Sequence, residues 1–377
     1  METIVEHMVE WVVEFDFIKE LDYNYFMIVN PIREETLNLF FGRKAELEFL
    51  EYTLGAFGVA IIEGDFGIGK TSVGNYFRLS NHSKFLTPED EISTDFRWTT
   101  KEFLHEVLKY LLDAIIKDEK FLKDDFIRSL LKRYNYLIQN SVKSDFFDKI
   151  LSTEETESLA SVETVGGLIQ DLKKIVQVSN KMGKEVLVQL NNLDLSDTSD
   201  PKELLNFFAT NRDIFQKTQV KWILTGSIGL TELLKKNISK VGNLFIQPLG
   251  LGQLDVNSVI LTLEKRGLKV YEQEDMVFLC NNTDLRELIN KFTLIKDNKM
   301  VFLKSEDLTP KELESIKLMG RKEWTQDEAE RLFDVKKSMV SKRLNQLIFK
   351  NWIIKTSQGK YRLSFEGYCS TMKKVKK

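Results

Sequence analysis

Gly64-Asp65-Phe66-Gly67-Ile68-Gly69-Lys70-Thr71 spells G-x-x-x-x-G-K-[ST], with the apolar run Val59-Ala60-Ile61-Ile62-Glu63 before it and a helix-compatible run from Ser72 to Leu79 behind it. A buried strand that runs into a glycine-rich loop and then a helix is the setting in which this spacing holds phosphate. The glycines let backbone N–H groups turn inward, where they and the helix N-terminus cradle phosphate oxygens. Lys70 brings a point charge to the β- and γ-phosphates, and the Thr71 hydroxyl is a ligand for Mg²⁺. The motif therefore predicts a site for ATP or ADP with Mg²⁺. Its contacts come from Gly64, Asp65, Phe66, Gly67, Ile68, Gly69, Lys70, Thr71 and Ser72, and Lys70 also serves catalysis.

Such a loop needs a sheet to carry it. Glu185-Val186-Leu187-Val188-Gln189-Leu190 and Val220-Lys221-Trp222-Ile223-Leu224-Thr225 are short apolar runs of the kind buried in parallel sheets. Helical patterns fill the stretch between the loop's helix and the first of these runs: Phe103, Leu104, Val107, Leu108, Leu111 and Leu112 behind a cap at Thr99 or Thr100, then Phe126–Ile138 and Val165–Val178. Asp200-Pro201-Lys202-Glu203 starts another helix, with Pro at its first position. Strands alternating with helices predict a parallel sheet wrapped by helices. From Leu254 to about Lys296 helices dominate, and a last segment reads as three helices and two strands joined by Thr356-Ser357-Gln358-Gly359.

With 377 residues, 42% apolar and 29% charged, the chain can fill two or three globular cores. Its apolar runs are too short to span a bilayer, and no signal peptide precedes the first acidic residues. The acidic helical pattern of residues 1–20 does not suit a membrane surface. Two cysteines, Cys280 and Cys369, without a CxxC spacing argue against a disulfide framework or a zinc site, so a reduced, cytoplasmic protein is expected.

The order of these motifs resembles that of the replication-initiator ATPases, the Orc1/Cdc6-like AAA+ proteins, from Asn30 onward. Phe41-Gly42-Arg43-Lys44-Ala45-Glu46-Leu47 looks like the family's opening motif, which implies that Phe41, Gly42 and Arg43 lie near the adenine. Val186–Asp194 falls at the Walker B position and Leu224-Thr225-Gly226-Ser227 at sensor 1, which brings Asn191, Asn192 and Ser227 to the nucleotide. Thr283-Asp284-Leu285-Arg286-Glu287-Leu288 looks like the sensor 2 helix, and the resemblance implies that Arg286 acts on the γ-phosphate.

Two departures from the family pattern bear on catalysis. Walker B ends in an Asp-Glu pair, whereas this chain has Asn191-Asn192-Leu193-Asp194. An amide takes no proton, so Asn192 is no general base. Asp194 either approaches the metal with Thr71, giving it a catalytic role, or serves a turn beside Ser196 and Asp197. Tight binding with slow hydrolysis is the expectation. The region after sensor 1 offers Lys235, Lys236 and Lys240 but no arginine before Pro248 to act across a ring interface, and Arg212 reads as a surface helix charge.

The C-terminal segment resembles a winged helix-turn-helix. Thr325-Gln326-Asp327-Glu328 is a capping box ahead of Leu332 and Phe333. The next helix faces the core with Val335, Val340, Leu344 and Leu347 and presents Lys337, Ser338, Ser341, Lys342, Asn345 and Gln346, side chains suited to phosphates and base edges. Lys336, Arg343, Lys360 and Arg362 extend the set through the turn and the wing. From Lys336 to Lys377 twelve Lys/Arg stand against Glu366, a local +11 in a chain of net −3, which leaves −14 to the rest. Such asymmetry points to double-stranded DNA as a partner.

The fold expected is an α/β P-loop NTPase, AAA+-like, with an α-helical lid and a winged-helix domain. Its division is an N-terminal helical segment 1–30, an ATPase domain 31–250 with a helical insertion at about 100–180, a lid 251–302 and a winged-helix domain 303–377. The function expected is an ATP-dependent DNA-binding switch, with a homo-oligomer or a protein partner as further possibilities. The alternatives are a STAND-type signalling NTPase whose winged helix docks a protein, and a structural subunit that keeps ATP as a fixed cofactor.

Overall fold

The computed structural model describes residues 31–134, 137, 164–194, 201–237, 247–268, 273–280, 285–296, 308–320, 322–333, 337–357 and 359–372. The N-terminal segment 1–30, the cap at Asp200, Lys240, Thr283 and Asp284 of the sensor 2 pattern, and Val335 and Lys336 lie outside these residues. The chain divides into two compact units, with the boundary between Arg266 and Gly267.

In the first unit a 3-10 turn at Glu34–Leu39 precedes α1 (Lys44–Phe57), β1 (Val59–Glu63) and α2 (Lys70–Ser80). Two short strands, β2 (Phe85–Leu86) and β3 (Ile92–Ser93), lead to α3 (Thr100–Ile116), α4 (Asp125–Arg133) and α5 (Val165–Lys181). The unit continues with β4 (Glu185–Leu193), α6 (Pro201–Thr210), α7 (Arg212–Lys217), β5 (Lys221–Gly226), α8 (Leu230–Asn237), β6 (Leu249–Gly250) and α9 (Val256–Lys265). The strands run in the order β2-β4-β5-β1-β6, with β3 also on β4, and every pairing is parallel. The parallel α/β fold read from the sequence is thus present, and β1, the strand that runs into the glycine-rich loop, is an interior strand flanked by β5 and β6.

The two-residue period of a strand sends alternate side chains to opposite faces. Val59 and Ile61 of β1, Val186, Val188 and Leu190 of β4, and Trp222 and Leu224 of β5 join the core built on α3, α4 and α5. Ala60, Ile62, Leu187 and Ile223 join a second core against α1 and α2. Continuing that parity, Gln189 and Asn191 follow Leu187, and Thr225 follows Ile223, onto the α2 side. Of the two caps read from the sequence, Thr99 is the one used, and it forms a reciprocal box with Glu102.

The second unit contains α10 (Gln273–Cys280), α11 (Leu285–Lys296), α12 (Pro310–Met319), β7 (Trp324–Thr325), α13 (Gln326–Phe333), α14 (Lys337–Phe349), β8 (Ile353–Ser357), β9 (Lys360–Leu363) and α15 (Phe365–Met372). Its strands form an antiparallel sheet in the order β7-β9-β8. Thr325 and Glu328 form the expected capping box at α13. Val340, Leu344 and Leu347 of α14 are fully buried, while Ser341, Lys342, Asn345 and Gln346 face solvent. Three helices followed by a two-stranded wing match the pattern read from the sequence. The strand β7 and the final helix α15 add to it. Among the described residues no helix is long and apolar enough to cross a membrane.

Candidate nucleotide site and nucleic-acid face

The loop from Gly64 to Gly69 joins the buried end of β1 to the first turn of α2. Gly67 and Gly69 have φ of 77° and 98°, backbone that side chains rarely adopt. Lys70 folds over the loop and donates to the carbonyls of Gly64 (2.9 Å) and Asp65 (3.1 Å). Its Nζ lies 3.7 Å from the Asp194 carboxylate. Asp194, at the end of β4, is therefore beside the loop, with the lysine as its charge partner. Ile68 is buried and Asp65 and Phe66 are exposed at the tip. The Ser72 hydroxyl accepts the Ile32 amide at 3.3 Å, so it ties the incoming chain to α2.

Arg43 is the N-terminal flank of α1, in a left-handed conformation (φ 63°), and its guanidinium is buried. It donates to the carbonyls of Gly252 (2.7 Å) and Ile68 (3.4 Å) and to Glu46 (2.8 Å). The arginine of the opening motif thus braces the phosphate loop against the chain after β6. Gly42 has φ of 76° and sits against Ser258 and Leu254, while Phe41 lies under the Lys265 ammonium at 5.5 Å. The neighbouring Phe40 stacks on Tyr76 of α2 with ring centres 4.0 Å apart.

Asn191 stands where a Walker B carboxylate would. Its Nδ2 donates to Thr71 Oγ1 at 3.2 Å, and its Oδ1 accepts from Gln189 Nε2 (3.0 Å) and Thr225 Oγ1 (2.5 Å). Gln189 Oε1 in turn accepts from Arg78 Nε at 3.2 Å. Arg78 has no exposed surface. It also donates to Asn75 Oδ1 and to the carbonyls of Pro88 and Glu89. Burial pushes its pKa down to about 10 against the raising effect of Glu91. Burial alone would raise Glu91, but the charge of Arg33 (2.5 Å) and the Asn75 amide (2.9 Å) hold its carboxyl below the usual range. Asn75 also donates to the Ile32 carbonyl at 2.9 Å.

Asn192 lies within β4 but breaks its regular pairing. Its φ of 63° coincides with the irregularity in the β4–β5 pairing between Leu190 and Leu193, and its amide donates to Ser93 Oγ on β3. Ser227 follows β5, half-buried. At the loop end of β1, Glu63 is buried and accepts the amides of Gly229 (3.1 Å) and Thr231 (2.5 Å) at the start of α8. Gln189, Asn75, Arg78, Glu91 and Thr225 are site-building residues that motif reading misses. The period-2 continuation from Leu187 is the one signal that places Gln189 and Asn191 toward α2.

In the second unit Arg286 is an exposed residue of α11. On α14, Lys337 and Ser338 occupy the first turn. Ser341 accepts from Gln326 Nε2 at 2.8 Å, Lys342, Asn345 and Gln346 are exposed, and Arg343 is half-buried. Lys360 of the wing is exposed, 3.9 Å from Glu323. Arg362 differs from the expectation of a solvent-facing wing cation: it is buried, and burial lowers its pKa. Phe349, which the sequence reading passes over, is 92% exposed at the end of α14.

No protein-family model and no curated protein matches the chain. Among solved structures it is similar to a Walker-type ATPase of Pyrococcus abyssi, at 16% identity and a TM-score of 0.39 over 92% of this chain and 99% of that one. It is similar to the Aeropyrum pernix ORC1 protein in complex with DNA, at 15% identity and 0.39 over 91% and 93%. It is also similar to the Aeropyrum pernix ORC2 protein in ADPNP–ADP complexes, at 13% identity and 0.36 over 85% and 89%. Structures of the initiator group to which the motif order bears a resemblance are thus among those that this chain is similar to.

Proposed function

We propose that the chain is an ATP- or ADP-binding, DNA-engaging switch of the AAA+ kind. The observation that carries this reading is the glycine-rich loop on the interior strand β1, with Lys70 and Asp194 meeting beside it, in one chain with a basic winged helix. Arg286 is assigned to the γ-phosphate and the helices around 251–302 to a lid. The exposed Lys342, Asn345 and Gln346 on α14 and Lys360 on the wing are assigned to duplex DNA. Such contacts are largely electrostatic and fall steeply with salt. Asn191 and Asn192 supply no base, so hydrolysis is slower by about 10²–10⁴ than with a carboxylate there.

Fluorescence anisotropy of labelled duplex DNA, with and without ATP at two salt concentrations, tests the reading. Binding that depends on ATP, falls with salt and disappears in a Lys342→Ala/Lys360→Ala variant is the expected result. DNA affinity that is the same in wild type and Lys70→Ala, with and without ATP, would sink the switch. One observation favours the second reading, a signalling ATPase whose winged helix docks a protein: Phe349 and Met339 are exposed apolar residues of α14. ATP-driven change of oligomeric state without DNA affinity is the outcome that would select it.

A further inference from the structure

The sequence offers Thr71 and Asp194 as ligands for Mg²⁺, but the donor set around Thr71 does not fit that ion. The reason lies in the direction of the hydrogen bonds. A guanidinium can only donate, so Arg78 fixes Gln189 with its carbonyl oxygen toward Arg78 and its NH₂ toward Asn191. That NH₂ requires an acceptor, and the Thr225 hydroxyl brings a second proton to the same atom, so Oδ1 of Asn191 is spent on both. The amide that remains for Thr71 is Nδ2, a donor. The usual ambiguity of amide orientation is thus removed by the one residue in the series that has no acceptor.

The consequence falls on the Thr71 hydroxyl. A carboxylate at the Asn191 position would accept a hydrogen bond from the threonine O–H and leave the hydroxyl's lone pairs for a cation. Here the hydroxyl accepts a hydrogen bond from the Asn191 amide, which occupies one of its lone pairs and leaves its own O–H to donate elsewhere. Asp194, the carboxylate beside the loop, is matched by the Lys70 ammonium at 3.7 Å, and Glu63 is engaged by two backbone amides.

We propose that this buried amide relay, Arg78–Gln189–Asn191–Thr71, turns the Thr71 hydroxyl into a hydrogen-bond donor to a phosphate oxygen, so that the nucleotide is held without dependence on Mg²⁺. The inference rests on the nucleotide-binding reading above and specifies how that site works. Gly74 of α2 is part of the device: a Cβ there would lie 2.5 Å from Gln189 Oε1, so glycine makes the space in which the relay runs.

The test is titration of the purified full chain with fluorescent ADP and ATP analogues, in excess Mg²⁺ and in excess EDTA. The expected result is a Kd that changes by less than about fivefold between the two buffers, whereas metal-dependent binding that weakens by about fivefold or more in EDTA overturns the inference. In Asn191→Asp, which replaces the donor with a carboxylate, the same titration is expected to become metal-dependent beyond that threshold. Gln189→Glu gives a second route: its carboxylate still accepts from Arg78 but has no N–H for Asn191, which is then released to turn its oxygen to Thr71. Both variants folded, by circular dichroism, and both indifferent to EDTA would show that the relay does not set the metal dependence. Absence of nucleotide binding in either buffer removes the nucleotide reading and the inference with it. Strong binding in Mg²⁺ that is lost in EDTA removes the inference alone.

Discussion

Gly74 is the residue whose replacement is expected to do most for its size. Gly74→Ala places a methyl group against the buried Gln189 amide, which Arg78 and Asn191 hold from either side. Overpacking of this kind costs about 1–3 kcal/mol, and chemical denaturation of the variant is expected to show a loss in that range. Glu91 gives a pH dependence. Its folded pKa lies below the ordinary carboxylate value, so the stability it contributes is complete above about pH 4–5 and is lost as pH falls through the folded pKa. The gap in melting temperature between wild type and Glu91→Gln is expected to narrow on acidification from about pH 6 toward pH 3. A constant gap would assign Glu91 a packing role only. The residues proposed to hold phosphate are legible in the sequence because a loop of fixed geometry demands fixed spacing. Gln189 and Arg78, separated by 111 residues, are not, because their partnership exists only after the sheet has closed against α2.

At the scale of elements, legibility followed the strength of the local signal. The helix α3 carries eight buried apolar residues at helical spacing and a reciprocal cap, and its start is read correctly. The strand β4 is longer than its apolar run predicts, because Asn191 and Asn192 are polar yet remain in it, one through the relay and the other through Ser93. The two-residue strands β2, β3 and β7 leave no period to detect, since each is defined by its pairing with a distant neighbour. Arg362 shows the opposite failure. Charge alone assigns it to solvent, whereas β9 buries it with Tyr361 and Leu363. The helix α14 is legible through Val340, Leu344 and Leu347, while Phe349 escapes notice because nothing in its spacing distinguishes a surface aromatic from a core one.

Across the whole molecule, each compact unit has its own buried apolar residues, so each is expected to contribute its own unfolding transition. Calorimetry of Leu108→Ala and Leu344→Ala tests this: both leucines are fully buried, and each truncation is expected to cost about 2–5 kcal/mol in its own unit. Nucleotide at a hundredfold excess over Kd should raise the first-unit transition by about 2.7 kcal/mol and correct much of the Leu108→Ala loss. A single transition, shifted equally by both variants, would contradict the division. Within the first unit, Glu63 has a mechanical meaning. Its carboxylate grips the root of α8, and its peptide bond leads directly into Gly64, the first residue of the loop. The two segments therefore share one pivot, and a displacement of the loop at Gly64 is expected to reach the root of α8 through this single short carboxylate.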